Sequence, residues 1–131
     1  MIVRHLQQLL GTARDVDGGN WISRRLLTAD DGMGFSMHDT IIKAGTETPI
    51  WYKHHLEAVY CISGKGEIEL TETGETFAIE PGMLYALNLH DRHLLRASET
   101  LHLVCVFNPP VTGREVHDED GAYAPSPAAV D

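Results

Sequence analysis

A chain of 131 residues with 43% hydrophobic side chains has the size of one domain and enough apolar material for a single core. Ten Lys and Arg against 19 Asp and Glu give a formal charge of −9, which leaves no cationic surface to release counterions from a phosphate backbone and argues against nucleic acid as a partner. No run approaches the roughly 18 apolar residues that span a bilayer, and MIVRHLQQLLGTARD holds no apolar core of signal-peptide length, so no membrane partner and a cytoplasmic location are expected.

The first expected element is a short N-terminal helix within residues 1–12, where Leu6, Leu9 and Leu10 share a helical face and Gly11 can end the turn. Turn signals then recur at short intervals: DGG at 17–19, DDGMG at 30–34, AGTETP at 44–49, SGKG at 63–66, ETGE at 72–75, EPG at 80–82 and HDR at 90–92. Between them lie WISRRLL, MHDTIIKA, AVYCIS, EIELTE, TFAIE, LYALNL and LHLVCVF, rich in β-branched, aliphatic and aromatic residues. Many short strands at regular spacing predict an all-β sandwich or barrel. From about residue 113 the sequence becomes charged and then rich in Ala, Pro and Ser; residues 113–131 are expected to form a lid followed by a flexible C-terminal tail over the last ten or so residues. No repeat and no linker divides the chain, so 1–131 reads as a single domain. Cys61 and Cys105 sit inside apolar runs and are expected as buried thiols rather than a disulfide.

Strand alternation assigns faces to the polar residues. In WYKHHLEAVYCISGKG, His55 and Glu57 share a face and His54 looks the other way. In WISRR, Trp21, Ser23 and Arg25 lie together and Arg24 opposite. If the inner face is a barrel lumen, Arg25 can grip a carboxylate with both nitrogens, Trp21 offers a wall and a contact for an amine, and His38 and Thr40 add polar contacts from the following strand. A surface acid is the competing partner for Arg25. Leu103, Cys105 and Phe107 form an apolar face that would line the same lumen or simply fill a core; the apolar setting argues against Cys105 as a nucleophile.

Glu57 is followed by the turn glycine Gly64, and Gly74 stands eleven residues before Tyr85 with EPG between them. This spacing resembles the two motifs of the cupin superfamily, double-stranded β-helix (jelly-roll) barrels that hold a metal near one mouth. The positions of the family's H-x-H carry Trp51 and Lys53 (or Ile50 and Tyr52), and Tyr85 stands for the third histidine, so the usual three-histidine site is absent.

A more specific resemblance covers essentially the whole chain. WISRR at 21–25, PIWYKHHLEAVYCISGKGEIE at 49–69, PGMLYALNLHDRHLLRA at 81–97 and CVFNPPVTGREVHDEDGAY at 105–123 look like the ectoine synthase family. The resemblance implies a homodimeric iron-dependent hydro-lyase that closes N4-acetyl-L-2,4-diaminobutyrate, an N-acetylated diamino acid, into the osmoprotective compatible solute L-ectoine with loss of water.

It also directs attention to Glu57, Tyr85 and His93 as metal ligands, a carboxylate, a phenolate and a neutral imidazole that suit a divalent ion and leave positions open for substrate. Fe(II) comes from the resemblance; the donors themselves admit Mn(II) or Zn(II) equally. Tyr85 and His93 are expected to meet at one hairpin end around HDR, with Glu57 approaching from another strand. Tyr52, Glu115 and His117 could move protons, and the resemblance favours Tyr52 and Glu115 as the base, with His55 as a further proton carrier beside Glu57. Glu115 and His117 fall in the segment that could fold over the mouth, where a solvated loop acid is the competing reading. An iron-dependent oxygenase or isomerase and a non-catalytic small-molecule-binding barrel are the rival functions for such a fold.

Overall fold

Alternation between core and surface is clearest in the longest strands of the chain. In the computed structural model, which describes residues 1–113 and 115–125, a single turn of helix α1 (Leu6–Leu9) precedes ten strands. These are β1 (Asp15–Asp17), β2 (Trp21–Leu27), β3 (Ser36–Ile42), β4 (Thr46–Ile50), β5 (Leu56–Ser63), β6 (Gly66–Leu70), β7 (Thr76–Ile79), β8 (Leu84–Leu87), β9 (His93–Ala97) and β10 (Leu101–Asn108). They form two antiparallel sheets, β1-β2-β3-β10-β5-β8 and β4-β9-β6-β7, whose inner faces enclose the core of a jelly-roll barrel.

The two faces are legible strand by strand. β2, β3 and β10 bury every second residue, which places Trp21, Ser23, Arg25, Ser36, His38, Thr40, Cys105 and Phe107 inside. Register sets Phe107 opposite Ser36, Cys105 opposite His38, and His38 opposite Arg25. The inner face of the larger sheet therefore carries a polar patch embedded among apolar side chains. The smaller sheet contributes Ile50, Ile68, Ile79, His93, Leu95 and Ala97.

Three expectations need correction. β4 occupies most of a stretch read as a turn; only its start turns, at Gly45 (φ +77°), and β4 is an edge strand, where the missing N–H of Pro49 is tolerated. β8 and β9 do not form a hairpin across HDR, because they belong to opposite sheets. The tail begins later than composition suggests: Gly121, Ala122 and Tyr123 are buried, and Trp51 donates its backbone N–H to the Gly121 carbonyl at 3.0 Å. Residues 126–131, where the rest of the expected tail falls, lie outside the described residues. At the other end, Leu9 is buried but Leu10 is exposed, and Arg4 ties the N-terminal segment to Asp31 at 2.7 Å. Both cysteines are buried free thiols.

Gly64 ends β5 at φ +97°, and a Cβ there would lie 2.1 Å from the Thr100 carbonyl oxygen, whereas Gly74 has φ +75° with open space around it. Gly74→Ala should cost about 1 kcal/mol, the conformational penalty alone. Gly64→Ala should cost about 3 kcal/mol or more, because backbone must move. Urea unfolding of both variants tests this; equal losses would mean that the close approach at Gly64 carries no weight.

Candidate active site

The barrel interior holds a cavity of about 30 Å³, lined by Trp21, Ser23, His38, Thr40, Tyr52, Glu57, Tyr85, Cys105, Phe107 and His117 among the expected residues, and by Tyr123, which was not expected. Arg25, His55, His93 and Glu115 stand just behind this wall. All fourteen sequence candidates thus gather around one lumen.

Glu57 projects from β5 and Tyr85 from the neighbouring β8, in a register that pairs Glu57 with Leu87 and Val59 with Tyr85; the two are diagonal neighbours on one face. His93 opens β9 in the facing sheet and reaches the same region across the lumen, its ring 6.5 Å from that of Tyr85. Its Nδ1–H donates to the Asp91 carbonyl at 2.9 Å, which leaves Nε2 as a bare lone pair. That Nε2 is buried and has no hydrogen-bond partner among the described residues, while burial pushes the ring's pKa down and keeps it neutral. An imidazole fixed through one nitrogen and unsatisfied at the other fits a metal ligand.

Burial pushes the Glu57 carboxyl up to about 8, with the Cys105 thiol beside it pulling the other way. Tyr85 is pushed well above the ordinary phenol range, first by burial and then by Glu57. Among the described residues no three His, Cys, Asp or Glu side chains converge on a metal position, so a three-donor set that includes Glu57 and His93 would need the phenol of Tyr85 as its third member.

A second group of side chains surrounds Arg25, which is fully buried. Its Nε donates to Ser23 Oγ at 3.3 Å, Nη2 donates to the Glu115 carbonyl, and Nη1 is buried with no hydrogen-bond partner among the described residues, 4.0 Å from the Glu115 carboxylate. The surface-acid alternative applies instead to Arg24, which pairs outward with Asp39. Ser23 Oγ lies 2.9 Å from His38 Nδ1, and His38 Nε2 lies 3.1 Å from Ser36 Oγ. Burial, then the Arg25 charge, hold His38 well below its ordinary pKa.

The proton-carrying candidates separate into distinct roles. The Tyr52 hydroxyl lies 2.7 Å from His117 Nε2. Burial lowers His117 to about 4 and raises Tyr52 well above its ordinary value, so the neutral phenol donates to the neutral imidazole. Glu115 is raised by burial, but hydrogen bonds from the Thr112 and Gly113 N–H groups and the Thr112 hydroxyl outweigh this, and the net shift is downward. A carboxylate so well satisfied is a weak base; it braces the turn that faces Arg25. His55 packs edge-on to Phe107 and Tyr123, each at 6.0 Å, and is lowered mainly by burial. Trp21 packs its indole 4.9 Å from the His117 ring.

Tyr123 was missed because it stands in a charged stretch without alternation. The signal was present in GAY, a glycine followed closely by a lone aromatic.

The ectoine synthase family model matches residues 1–127. The chain is 70% identical over 125 residues to the L-ectoine synthase of Desulfatibacillum aliphaticivorans, a match covering 94% of this chain and 96% of the other. It is 63% identical over 124 residues to that of Desulfosudis oleivorans, covering 94% and 96%. The crystal structure of ectoine synthase from P. lautus superposes with a TM-score of 0.87 at 59% identity, covering 100% of this chain and 94% of that one. The chain therefore belongs to the ectoine synthase family and is a hydro-lyase of that kind.

Proposed function

We propose that the lumen between the two sheets is where N4-acetyl-L-2,4-diaminobutyrate is cyclised to L-ectoine, with Glu57, Tyr85 and His93 holding a divalent cation. Fe(II) is favoured by the family resemblance, and Mn(II) or Zn(II) suit the same donors. The observation that carries the reading is the unsatisfied Nε2 of His93, fixed by Asp91 on the far side and facing Tyr85 across the lumen.

The chemistry such a cation supplies when bound is Lewis-acid polarisation of the acetamide carbonyl. Arg25 receives the substrate carboxylate through Nη1 and fixes which end of the molecule enters first. Trp21, Cys105 and Phe107 exclude water from a step that must release it. As the neutral α-amine attacks the carbonyl carbon, Tyr52 takes its proton while passing its own to His117 Nε2. Return of that proton through Tyr52 to the departing oxygen, together with the second amine proton, releases one water and leaves the amidine ring.

A cavity of about 30 Å³ holds one or two waters and not this substrate, so segment 115–123 has to move for entry and acts as the lid. The homodimer implied by the resemblance is supported by exposed Leu56, Tyr60 and Ile62 of β5 and Leu84 of β8 on one outer face. A cytoplasmic location accords with the chain's charge, and no described helix is long and apolar enough to cross a membrane.

Incubation with Fe(II) and N4-acetyl-L-2,4-diaminobutyrate should convert the substrate to a species lighter by one water in the mass spectrum, and Glu57→Ala should slow this by more than about 100-fold with loss of bound metal. Full metal content and full rate in that variant would remove the metal assignment. Tyr52→Phe and His117→Ala should each lower kcat by about 10² to 10³ with little change in KM, and the double variant should be no worse than either alone, since they form one proton path. Strictly additive losses would separate them. Metal uptake must displace protons: below pH 8 from both Glu57 and Tyr85, above it from Tyr85 alone. Affinity should therefore rise with pH, and calorimetry in two buffers should show release of about two protons at pH 7 falling to about one at pH 9. Uptake without proton release at pH 7 would contradict these ligands.

A further inference from the structure

The C-terminal segment brings a side chain into the lumen that neither the motifs nor the family reading assigned. Tyr123 is 3% exposed, and its ring stacks on Tyr52 at 5.0 Å and 29°. It meets Phe107 edge-on at 5.3 Å and His117 at 5.1 Å, and the Arg25 guanidinium lies 5.6 Å from its ring centre. One ring thus touches both members of the proton path and the cation that faces the substrate carboxylate.

The backbone is built to deliver it there. Gly121 has φ +71°, and a Cβ at this position would lie 2.2 Å from the Pro49 carbonyl oxygen and 2.7 Å from Ile50 Cα. Only glycine lets the chain lie flat on the end of β4, where Trp51 N–H reaches the Gly121 carbonyl. The Asp118 carboxylate accepts the N–H groups of Asp120 and Ala122 and closes the turn just before Tyr123.

We propose that Tyr123 is a positioning residue of the cyclisation: stacked on Tyr52 and covering Arg25, it sets the Tyr52 hydroxyl against His117 and aims the guanidinium into the lumen. The proposal rests on the reading of the lumen as the reaction site. Among the described residues no other ring is stacked flat on Tyr52; its remaining ring contacts, with Phe107, His93 and His117, are tilted or edge-on. Without Tyr123, the Tyr52 ring loses the face that fixes its plane.

The test uses the full-length, metal-loaded enzyme, with kcat, KM, the pH profile of kcat and the melting temperature measured for each variant. Tyr123→Leu should lower kcat by about 30-fold, raise KM by several-fold and move the limb of the pH profile that belongs to Tyr52 and His117 by about half a unit or more. Tyr123→Phe keeps the ring and should stay within about threefold of wild type, rescuing both kcat and profile. Gly121→Ala alters no lumen side chain yet displaces the segment, so it should reproduce the Leu variant; it also serves if Tyr123→Leu fails to fold. Wild-type kcat and pH profile in Tyr123→Leu or in folded Gly121→Ala, beside an impaired Tyr52→Phe, would overturn the proposal while leaving the lumen reading intact. A wild-type Tyr52→Phe would instead overturn the lumen reading, and the proposal with it.

Discussion

Glu57 is a carboxylate placed where water scarcely reaches it, and the cost of charging it there decides what every group around it can be. Burial lifts it to about 8 against the opposing pull of the Cys105 thiol, and its negative charge, were it to form, would in turn disfavour ionisation of Tyr52, Tyr85, Cys105 and Tyr123. At neutral pH this half of the lumen is a set of protonated acids, which a bound cation would convert into anionic donors. The other half is organised by Arg25, whose fixed charge adds to burial in keeping His38 and His117 neutral. A substrate with a carboxylate at one end and an acetamide at the other is matched by this polarity. Between the halves lies the Tyr52–His117 pair, where a proton can move without either partner starting charged.

The jelly roll assembles these halves from different sheets. The larger sheet supplies the Arg25 patch together with Glu57 and Tyr85; His93 comes from the smaller one, and Tyr52 from just beyond its edge strand β4. One loop holds the two contributions in step. His90 adopts φ +53°, an unfavourable conformation for a residue with a side chain, and its Nδ1–H donates to the Tyr52 carbonyl at 2.9 Å. Trp51 returns a hydrogen bond from its indole to the His90 carbonyl, and the next residue, Asp91, offers the carbonyl that orients His93. The Nε2 of His93 and the hydroxyl of Tyr52 are thus set by the same few residues.

What could be read from the sequence follows from what period-two alternation encodes. It correctly put Trp21, Ser23 and Arg25 inside with Arg24 outside, and His55 and Glu57 inside with His54 exposed. Alternation says which face a side chain takes and nothing about which strand lies beside it, so the placement of β8 and β9 in opposite sheets was not legible, although Tyr85 and His93 do meet. β4 was hidden because Pro and Thr mark turns and edge strands alike. Glu115 was legible as a lumen residue by resemblance, but its hydrogen bonds to Thr112 and Gly113, which weaken it as a base, depend on a local turn with no pattern in the sequence. Tyr123 escaped for the related reason that its burial is imposed by a segment lying on strands distant in sequence.

That segment also explains why Arg25 can be buried at all. A guanidinium with 0% exposure has to be balanced, and here the balance comes from Ser23, from the Glu115 backbone and carboxylate, and from the face of Tyr123. All but the first of these belong to the segment 115–123. On the proposed reading, lifting of that segment to admit substrate would expose Arg25 to water and let it receive the incoming carboxylate, and the segment's return would seat that carboxylate at Nη1, which has no hydrogen-bond partner among the described residues. Lifting of the segment would also carry His117 away from Tyr52, so on the proposed reading their hydrogen bond belongs to the closed arrangement alone. Binding at one end of the lumen and proton transfer at the other would then be coupled through one short stretch of chain, which would keep the dehydration from starting in an open, wet barrel.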